Sequence, residues 1–411
     1  MAKKSSKNHK DATRESKVTS TQPGKGWVQS PNETLRVSTD FDLANFDHAS
    51  TPGWDEGKVA AEEFLESRGN VLSELQERFF AAGKFGDQRS VLLVVQGLDT
   101  AGKGGIARHV LGLVDPQGIS LASFGVPTKE EASHHFLWRI RRALPKPGKI
   151  GLFDRSHYED VLVQRVEKIV DEPTWRKRYG EINRFEKKLT ENGVTIIKVA
   201  LMVSHEEQGR RLAERIVRPD KKWKYNPNDI DTRLKWDEYQ QAYQDVFIET
   251  STQWAPWHII PADHKWYARL AVTELLTQAL IDFDLEWPKP RWVEDVQYRR
   301  LQETMTESET LEVNELRDVV VKEAAQAIES FDDEVATIDS SPTTSLTELT
   351  ESPKPKETHD PQEVQDGEAP TGRTTGQDAS KDEKKAKKKD PKKDKKSKKS
   401  KKDGKKKKKD K

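Results

Sequence analysis

The sequence of 411 residues contains no cysteine. Disulfide bonds, thiolate catalysis and cysteine-ligated zinc or iron–sulfur sites are therefore excluded. Its apolar runs are short, and none approaches the about 20 residues that a membrane-spanning helix requires. The basic start, MAKKSSKNHKDATRES, is not followed by the apolar segment of a secretory signal. These absences predict a cytoplasmic protein with no membrane partner.

Hydrophobic residues make up 33% of the chain and charged residues 34%, whereas globular domains average about 45–50% and about 25%. A long polar part therefore dilutes an ordinary core. The net charge of +1 averages an acidic stretch, from about residue 304, and a lysine tract at the end. We predict, in chain order, a disordered N-terminus (1–35), a folded catalytic domain (36–290), an extra helical segment (291–331), an acidic disordered linker (332–380) and a disordered lysine-rich tail (381–411).

Short apolar runs alternate with amphipathic stretches through the predicted domain. The run VLLVV at 91–95 is wholly apolar and rich in β-branched residues, as in strands that are buried on both faces. Similar runs lie at 150–153, 194–203 and 258–261, and helical patterns separate them. Strands that alternate with helices predict an α/β fold with a parallel sheet.

The strongest chemical signal is the segment GLDTAGKG at 97–104. It fits the pattern G-x-x-x-x-G-K directly after a buried strand and before a predicted helix, which is the context of a phosphate-binding loop. Its glycines let backbone N–H groups converge on one anion, and Lys103 adds a full positive charge. An ordinary strand-to-helix turn is the alternative. We predict that the loop contacts phosphate through Gly97, Ala101, Gly102 and Gly104.

Gly104 stands where such loops usually carry a serine or threonine that holds Mg²⁺. The metal must then be bound by carboxylates, and Asp99 in the loop and Asp154 after the second predicted strand are available. The segment FDRS at 153–156 is typical of a Walker B strand end, where an acid reaches the metal and Arg155 reaches a transferring phosphate. An aspartate after a strand is otherwise often a helix cap.

The segment ERIVRPDKKWK at 214–224 is strongly basic. Taken alone, such a run indicates a solvated surface. In a phosphate-loop kinase, however, a mobile cationic segment closes over the phosphates, excludes water and neutralises developing charge. We predict that this segment forms a lid with Arg215 and Lys224 at the phosphates, supported by Arg218 and Lys221.

Several segments resemble the polyphosphate kinase 2 family. They are GLDTAGK (97–103), PQG (116–118), ASHHFLWR (132–139), FDRSHYEDVLV (153–163), the predicted lid, WAPW (254–257) and PADHKW (261–266). They occur in order and at family-like spacing between residues 51 and 285. This pattern is far more specific than a phosphate loop alone.

The resemblance implies a three-layer α/β/α fold similar to that of thymidylate kinases. It also implies Mg²⁺-dependent transfer of phosphoryl groups between polyphosphate and a nucleoside mono- or diphosphate. Many relatives carry asparagine in place of Asp154, which leaves the choice between AMP and ADP open, and GMP and GDP are further acceptors. Because relatives are commonly dimers or tetramers, the resemblance implies a homo-oligomer.

The resemblance also implies roles for single residues. Asp99, Lys103, Asp154 and Arg155 would be catalytic, and the two aspartates among them would hold the metal ion. Arg215 and Lys224 would belong to the lid. Arg139 would contact nucleotide phosphate.

Two alternatives remain. The phosphate loop does not distinguish polyphosphate from ATP as the donor, so an ATP-dependent nucleotide kinase is the first. A polyanion- or nucleic-acid-binding protein that acts through its lysine tail is the second, because lysine tracts bind polyanions without sequence preference. For polyphosphate itself, the candidate basic groove consists of Lys129, Arg141, Arg142, Lys146 and Lys149.

Overall fold

The computed structural model describes residues 26–339, and its centre is a five-stranded sheet in which all neighbouring strands are parallel. The strands are β1 (Ser90–Gln96), β2 (Ile119–Ser123), β3 (Ile150–Asp154), β4 (Val194–Met202) and β5 (Trp257–Pro261). Their order across the sheet is β2-β3-β1-β4-β5. Because β1 lies in the middle, every one of its residues is buried, which explains its continuous apolar run.

Helices cover both faces of the sheet. In chain order the α-helices are α1 (Pro31–Thr34), α2 (Lys58–Phe85), α3 (Lys103–His109), α4 (Lys129–Ala132), α5 (Leu137–Ala143), α6 (Val163–Val166), α7 (Glu172–Glu191), α8 (His205–Val217), α9 (Asn228–Leu234), α10 (Trp236–Thr250), α11 (Lys265–Ile281), α12 (Glu294–Gln302) and α13 (Glu307–Asp339). In the described part of the chain, every helix is too short or too polar to span a membrane.

The side chains of β1 point alternately to the two faces of the sheet. Val91, Leu93 and Val95 pack in one core with residues of α2, α3 and α11. Leu92 and Val94 pack in a second core with residues of α5, α7 and α10. The sheet therefore lies between two helical layers, and the predicted three-layer α/β/α kinase fold is confirmed.

The sequence predicted four strands, and the structure adds a fifth, β2. This strand lies at an edge of the sheet and pairs only with β3. Its side chains are largely solvent-accessible, and Leu121 is 65% exposed. An edge strand of this kind needs no continuous apolar run, so the segment ISLAS does not show the pattern that identified the buried strands.

The folded domain includes residues that the sequence predicted to be disordered. Residues 26–35 include α1, and the ring of Trp27 packs edge-on against Trp54 with ring centroids 5.5 Å apart. The carbonyl of Leu35 accepts a hydrogen bond from the Ile259 N–H at 2.8 Å, so the segment borders β5. The prediction of disorder is wrong for these residues because a few apolar anchors hold an otherwise polar segment. The rest of the predicted N-terminal segment lies outside the described residues.

The last helix also extends further than predicted. Arg78 of α2 donates a hydrogen bond to Asp332 Oδ1 of α13 at 2.7 Å. Three apolar side chains of α13 at helical spacing pack against the core that α2 lines: Phe331, Val335 and Ile338. The prediction of a disordered linker is therefore wrong for 332–339. The rest of the linker and the lysine-rich tail lie outside the described residues.

We expect a chain that ends at residue 299 to be less stable than one that ends at residue 339. The shorter chain loses the apolar contacts of α13 and leaves the buried Arg78 without its Asp332 partner. Exposing the surface covered by one buried and two half-buried side chains corresponds to a decrease of about 2–4 kcal/mol in the free energy of unfolding. Urea unfolding of the two chains measures this difference, and equal stabilities would contradict the packing described.

Candidate active site

A cavity of about 550 Å³ opens at the carboxyl ends of β1 and β3, which is the edge where parallel α/β sheets bind ligands. Val95 of β1 lies opposite Asp154 of β3, so the segments that follow these strands are neighbours. Most of the residues selected from the sequence line this cavity. They are Asp99, Ala101, Gly102, Lys103, Gly104, Asp154, Arg155, Arg215, Lys221 and Lys224.

The loop between β1 and α3 adopts the left-handed backbone conformation at Gly97, Thr100 and Gly102, with φ of 147°, 68° and 122°. Gly97 lies outside the cavity wall, but its carbonyl oxygen accepts a hydrogen bond from Lys103 Nζ at 2.6 Å. The same ammonium donates to the Leu98 carbonyl oxygen at 3.2 Å. Lys103 is thus folded back along the loop, and its charge lies beside the space available to a phosphate group.

Two glycines of the loop differ in the room around them, and this difference can be tested. A Cβ added to Gly97 would lie 2.7 Å from the Leu201 carbonyl oxygen, whereas a Cβ added to Gly104 would have no atom within 4 Å. We expect Gly97→Ala to lower the free energy of unfolding by about 1–3 kcal/mol. We expect Gly104→Ala, the matched control, to leave it unchanged. Thermal unfolding measures both, and equal losses would contradict the loop geometry.

Arg211 of α8 lines the cavity and also supports the loop, and the sequence did not predict this role. Its guanidinium donates to the carbonyl oxygens of Thr100 at 3.0 Å, Ala101 at 3.1 Å and Ala262 at 2.6 Å. Glu207, one helical turn earlier, accepts a hydrogen bond from Arg211 Nε at 2.7 Å and fixes its orientation. A glutamate and an arginine four residues apart were the available signal, but such pairs are also common on exposed helix surfaces.

Arg155 lies between two carboxylates. Its Nη2 donates to Asp99 Oδ1 at 3.0 Å, and its Nη1 is 3.9 Å from Glu159 Oε2. Burial alone would lower the pKa of Arg155, but Glu159 and Asp99 outweigh it and the pKa is raised. Burial lowers the pKa of Lys103, while Asp99 opposes that shift. Arg155 thus has carboxylate partners that an incoming phosphate group can replace, and Lys103 has the charge of Asp99 nearby.

Asp99 and Asp154 face the same cavity, as a shared metal ion requires. Between residues 26 and 339, no three acidic or histidine side chains form a ready-made metal cluster. Magnesium in phosphoryl-transfer enzymes is held by one or two carboxylates and takes its other ligands from substrate phosphates and water. Two aspartates beside a phosphate loop therefore fit Mg²⁺, and magnesium binding stays a prediction.

The predicted lid begins at the end of α8 and continues through a 3₁₀ turn at Lys222–Lys224. Three of its predicted members line the cavity: Arg215, Lys221 and Lys224. Lys221 donates a hydrogen bond to Glu214 Oε1 at 2.7 Å. The hydrogen bonds from Lys221 and Arg218 lower the pKa of Glu214 to about 2. Lys221 is thus held at the cavity by a carboxylate of its own segment, whereas Arg215 pairs with Asp229 of α9 at 3.3 Å.

Like Gly97, two arginines that were predicted to contact substrate do not line the cavity. Arg218 is exposed outside the cavity wall and pairs with Glu214 at 2.5 Å and with Asp220 at 2.7 Å. Arg139 is 7% exposed and lies behind the wall, where its Nη1 donates to the Gly125 carbonyl oxygen at 2.8 Å. Both predictions assumed that an arginine near the site points into it. The structure gives each guanidinium a protein acceptor instead, and Arg139 supports the wall without lining it.

Besides Arg211, four basic side chains to which the sequence analysis gave no role also line the cavity: Arg108, His109, Lys265 and Arg269. They come from α3 and α11, which are far apart in the sequence. The basic groove predicted from the sequence is not part of the cavity wall. Instead, Arg141 and Arg142 lie over the rings of Phe185 and Trp138. The run of charge that suggested this groove therefore covers aromatic surface elsewhere on the domain.

The fold and the site together define a class of protein. A parallel sheet, a glycine loop with a lysine at the start of a helix, and an arginine at the end of the neighbouring strand are the parts of a phosphate-loop kinase. Residues 53–286 match the model of the polyphosphate kinase 2 (PPK2) family, and the chain belongs to that family. The match includes the loop, the end of β3 and the lid.

Individual relatives cover the same region. The chain is 42% identical over 257 residues to the AMP/ADP-polyphosphate phosphotransferase of Meiothermus ruber, which is 62% of this chain and 95% of that protein. It is 37% identical over 246 residues to the ADP-polyphosphate phosphotransferase of Rhodopseudomonas palustris, which is 57% of this chain and 84% of that protein. The crystal structure of polyphosphate kinase 2 from Arthrobacter aurescens TC1 is 48% identical with a TM-score of 0.66, and the similarity covers 67% of this chain and 98% of that one.

Proposed function

We propose that this protein transfers phosphoryl groups between inorganic polyphosphate and AMP or ADP. The observation that carries the proposal is one cavity in which a phosphate loop, a strand-end arginine and cations from three helices converge. Such a cavity suits two phosphate-bearing substrates that must meet end to end. The names of the Meiothermus and Rhodopseudomonas relatives support polyphosphate as one of the two.

Within the cavity, we assign the phosphate loop and Lys103 to the transferred phosphoryl group. Polyphosphate would extend along Arg108, Lys265 and Arg269, whose distribution over two helices suits a flexible polyanion. The lid would close over both substrates. GMP and GDP belong to the same proposal, because every residue discussed here is assigned to phosphate and none of them to a base.

We assign the reaction as an in-line transfer without a covalent enzyme intermediate. In the direction of nucleotide phosphorylation, a terminal phosphate oxygen of the nucleotide attacks the end phosphorus of polyphosphate, and the bond from that phosphorus to the bridging oxygen breaks. Positioning and charge neutralisation dominate catalysis of such transfers. Lys103 and Arg155 would contact the oxygens that gain charge, and the closed lid would exclude water as a competing acceptor.

Magnesium is part of the proposal, with Asp99 and Asp154 as its protein ligands. The ion, when bound, supplies additional neutralisation of phosphate charge. Asp99 Oδ1 accepts a hydrogen bond from Arg155, which leaves Oδ2 for the ion. Because Gly104 has no hydroxyl, both aspartates are needed for this role.

Three wider expectations accompany this proposal. The family resemblance supports a homo-oligomer. The expectation of a cytoplasmic location belongs to the proposal as well. The lysine-rich tail is proposed to bind polyanions, polyphosphate included, without sequence preference.

One experiment tests the proposed function. The protein is incubated with Mg²⁺, long-chain polyphosphate and each of AMP, ADP, GMP and GDP, and the nucleotides are separated to detect phosphorylated products. We expect product with AMP or ADP, and none when Mg²⁺ is chelated. Parallel incubations replace polyphosphate with ATP as the donor. Phosphorylation with ATP and none with polyphosphate would identify an ATP-dependent nucleotide kinase and overturn the proposal.

A further inference from the structure

A fully buried lysine lies within the sheet. Lys198 of β4 is 0% exposed, and its strand is flanked by β1 and β5. Its ammonium has three N–H donors, and all three are used. They donate to Glu186 Oε2 at 2.7 Å, to the Tyr158 hydroxyl at 2.9 Å and to the Thr250 carbonyl oxygen at 2.8 Å. The charge is thus fully paired without any contact with solvent.

Glu186 of α7 is the second ion of this arrangement and is also fully buried. Its Oε1 accepts a hydrogen bond from the Tyr158 hydroxyl at 2.7 Å and lies 3.1 Å from His157 Nε2. Burial opposes the ionisation of Glu186, but Lys198 and His157 outweigh it and the pKa of Glu186 is lowered. Each of three residues therefore contacts the other two: Tyr158, Glu186 and Lys198. We call them the Lys198 cluster.

Stability alone gives little reason for such a cluster. The loss of hydration of two buried charges offsets much of their attraction, and apolar side chains of similar size often serve a fold equally well. The position of the cluster is more informative. Tyr158 is three residues after Arg155, and both belong to the turn at 154–160 that ends β3. The cluster therefore lies directly behind the segment that presents Arg155 to the cavity.

The backbone at Arg155 requires support. Its φ is 63°, in the left-handed region that a non-glycine residue keeps only where its surroundings hold it. Ser156 Oγ accepts a hydrogen bond from the Tyr158 N–H at 3.2 Å and closes the turn locally. The Tyr158 side chain then connects the turn to Glu186 on α7 and to Lys198 on β4. The strained residue is thereby anchored to two rigid elements of the core.

We propose that Tyr158, Glu186 and Lys198 are positioning residues for phosphoryl transfer. They hold the turn so that the Arg155 guanidinium faces the cavity, 3.0 Å from Asp99 Oδ1. None of the three lines the cavity, so they act through Arg155 and not on a substrate. The inference rests on the proposed function, because the orientation of Arg155 affects the rate only if phosphate is transferred there.

Tyr158→Phe tests this inference, since it removes one hydroxyl and keeps the ring. We expect kcat to fall by about tenfold to a hundredfold and KM for either substrate to change by less than about threefold, because the binding surfaces persist while Arg155 loses its orientation. Tyr267→Phe is the matched control. Tyr267 is equally buried and its hydroxyl donates to the Pro52 carbonyl oxygen at 2.6 Å, away from the cluster. Unchanged kcat in Tyr158→Phe, or the same loss in both variants, would overturn the proposal.

A double variant separates positioning from stability. Glu186→Leu combined with Lys198→Met replaces the ion pair by apolar side chains of similar size and leaves no unpaired buried charge, so its Tm is expected to fall far less than that of either single variant. Its kcat is expected to fall as in Tyr158→Phe. A folded double variant with wild-type kcat would sink the proposal. If the double variant does not fold, the Tyr158→Phe result decides.

Hydrogen exchange gives a readout that does not depend on activity. In Tyr158→Phe, the amides of residues 155–161 are expected to exchange at least about tenfold faster than in the wild type, while those of β1 keep their rates. If the wild-type protein transfers no phosphate, the proposed function is wrong, but the hydrogen-exchange test of the turn still applies. Unchanged exchange at 155–161 would defeat the anchoring of the turn itself.

Discussion

Replacement of Lys103 by methionine is expected to lower kcat for phosphoryl transfer by about 10²- to 10³-fold while the domain stays folded. The ammonium lies inside the loop, 2.6 Å from the Gly97 carbonyl oxygen and 3.2 Å from that of Leu98. A phosphate group that enters the loop would meet this charge, which can neutralise the oxygens of the transferred group. Methionine keeps the length and the apolar stem of the side chain and removes only the charge.

Lys129→Met is the control for this substitution. Lys129 is exposed at the start of α4 and does not line the cavity, although the sequence suggested it as part of a basic groove. Its replacement is expected to leave kcat within about twofold of the wild type, as for a surface charge far from a site. Initial rates with polyphosphate and AMP or ADP, together with Tm, measure both variants. Wild-type rates in Lys103→Met would show that the loop does not bind the transferred phosphate.

Replacement of Arg155 by alanine is the second change with a large expected effect. We expect kcat to fall by about 10³-fold or more, the range that arginines contribute to phosphoryl transfer. The guanidinium is the cation that links the end of β3 to the loop through Asp99. Arg155→Lys keeps a charge but not the planar fork that contacts two phosphate oxygens at once. We therefore expect lysine to restore only part of the lost rate.

Arg176→Ala provides the comparison for Arg155. Arg176 forms an exposed ion pair with Glu172 one helical turn away on α7, and such pairs contribute little. Steady-state kinetics with each substrate varied would measure the rates of these variants, and Tm would check that each of them is folded. If Arg155→Ala transfers phosphate as fast as Arg176→Ala, the strand-end arginine has no part in the reaction.

The elements that the sequence predicted well carry their signal within a few consecutive residues. The strand β1 is apolar over its whole central run, and the loop that follows has its glycines and its lysine at fixed offsets. The edge strand β2 was missed because it is paired on one side only and half exposed. The anchoring of residues 26–35 and 332–339 was missed because single side chains, such as Trp27 and Ile338, hold them against distant parts of the chain.

The candidate site likewise contains residues that the sequence predicted and residues that it did not. Asp99, Lys103, Asp154 and Arg155 could be predicted together because the carboxyl ends of neighbouring parallel strands meet at one edge. The directions of Arg139 and Arg218 could not: the folded chain brings the Gly125 carbonyl oxygen to Arg139, and Arg218 turns to the neighbouring carboxylates of its own segment. No motif includes Arg108 or Arg269, and PADHKW, which includes Lys265, did not indicate its role; the convergence of the three depends on the packing of α3 beside α11. Local chemistry was therefore visible in the sequence, and the supporting charges were not.

The excess of positive charge on the cavity wall also affects the approach of substrates, before any contact forms. Nine lysine and arginine side chains and three carboxylates line the wall. A concave surface with such an excess projects its field into the solvent and draws polyanions towards it. Screening limits that reach to about 8 Å at physiological ionic strength, so encounters are fastest in dilute salt and slow down as salt is added. The ionic strength of the surroundings thereby sets how quickly the protein finds its substrates, even when the rate of the chemical step does not change.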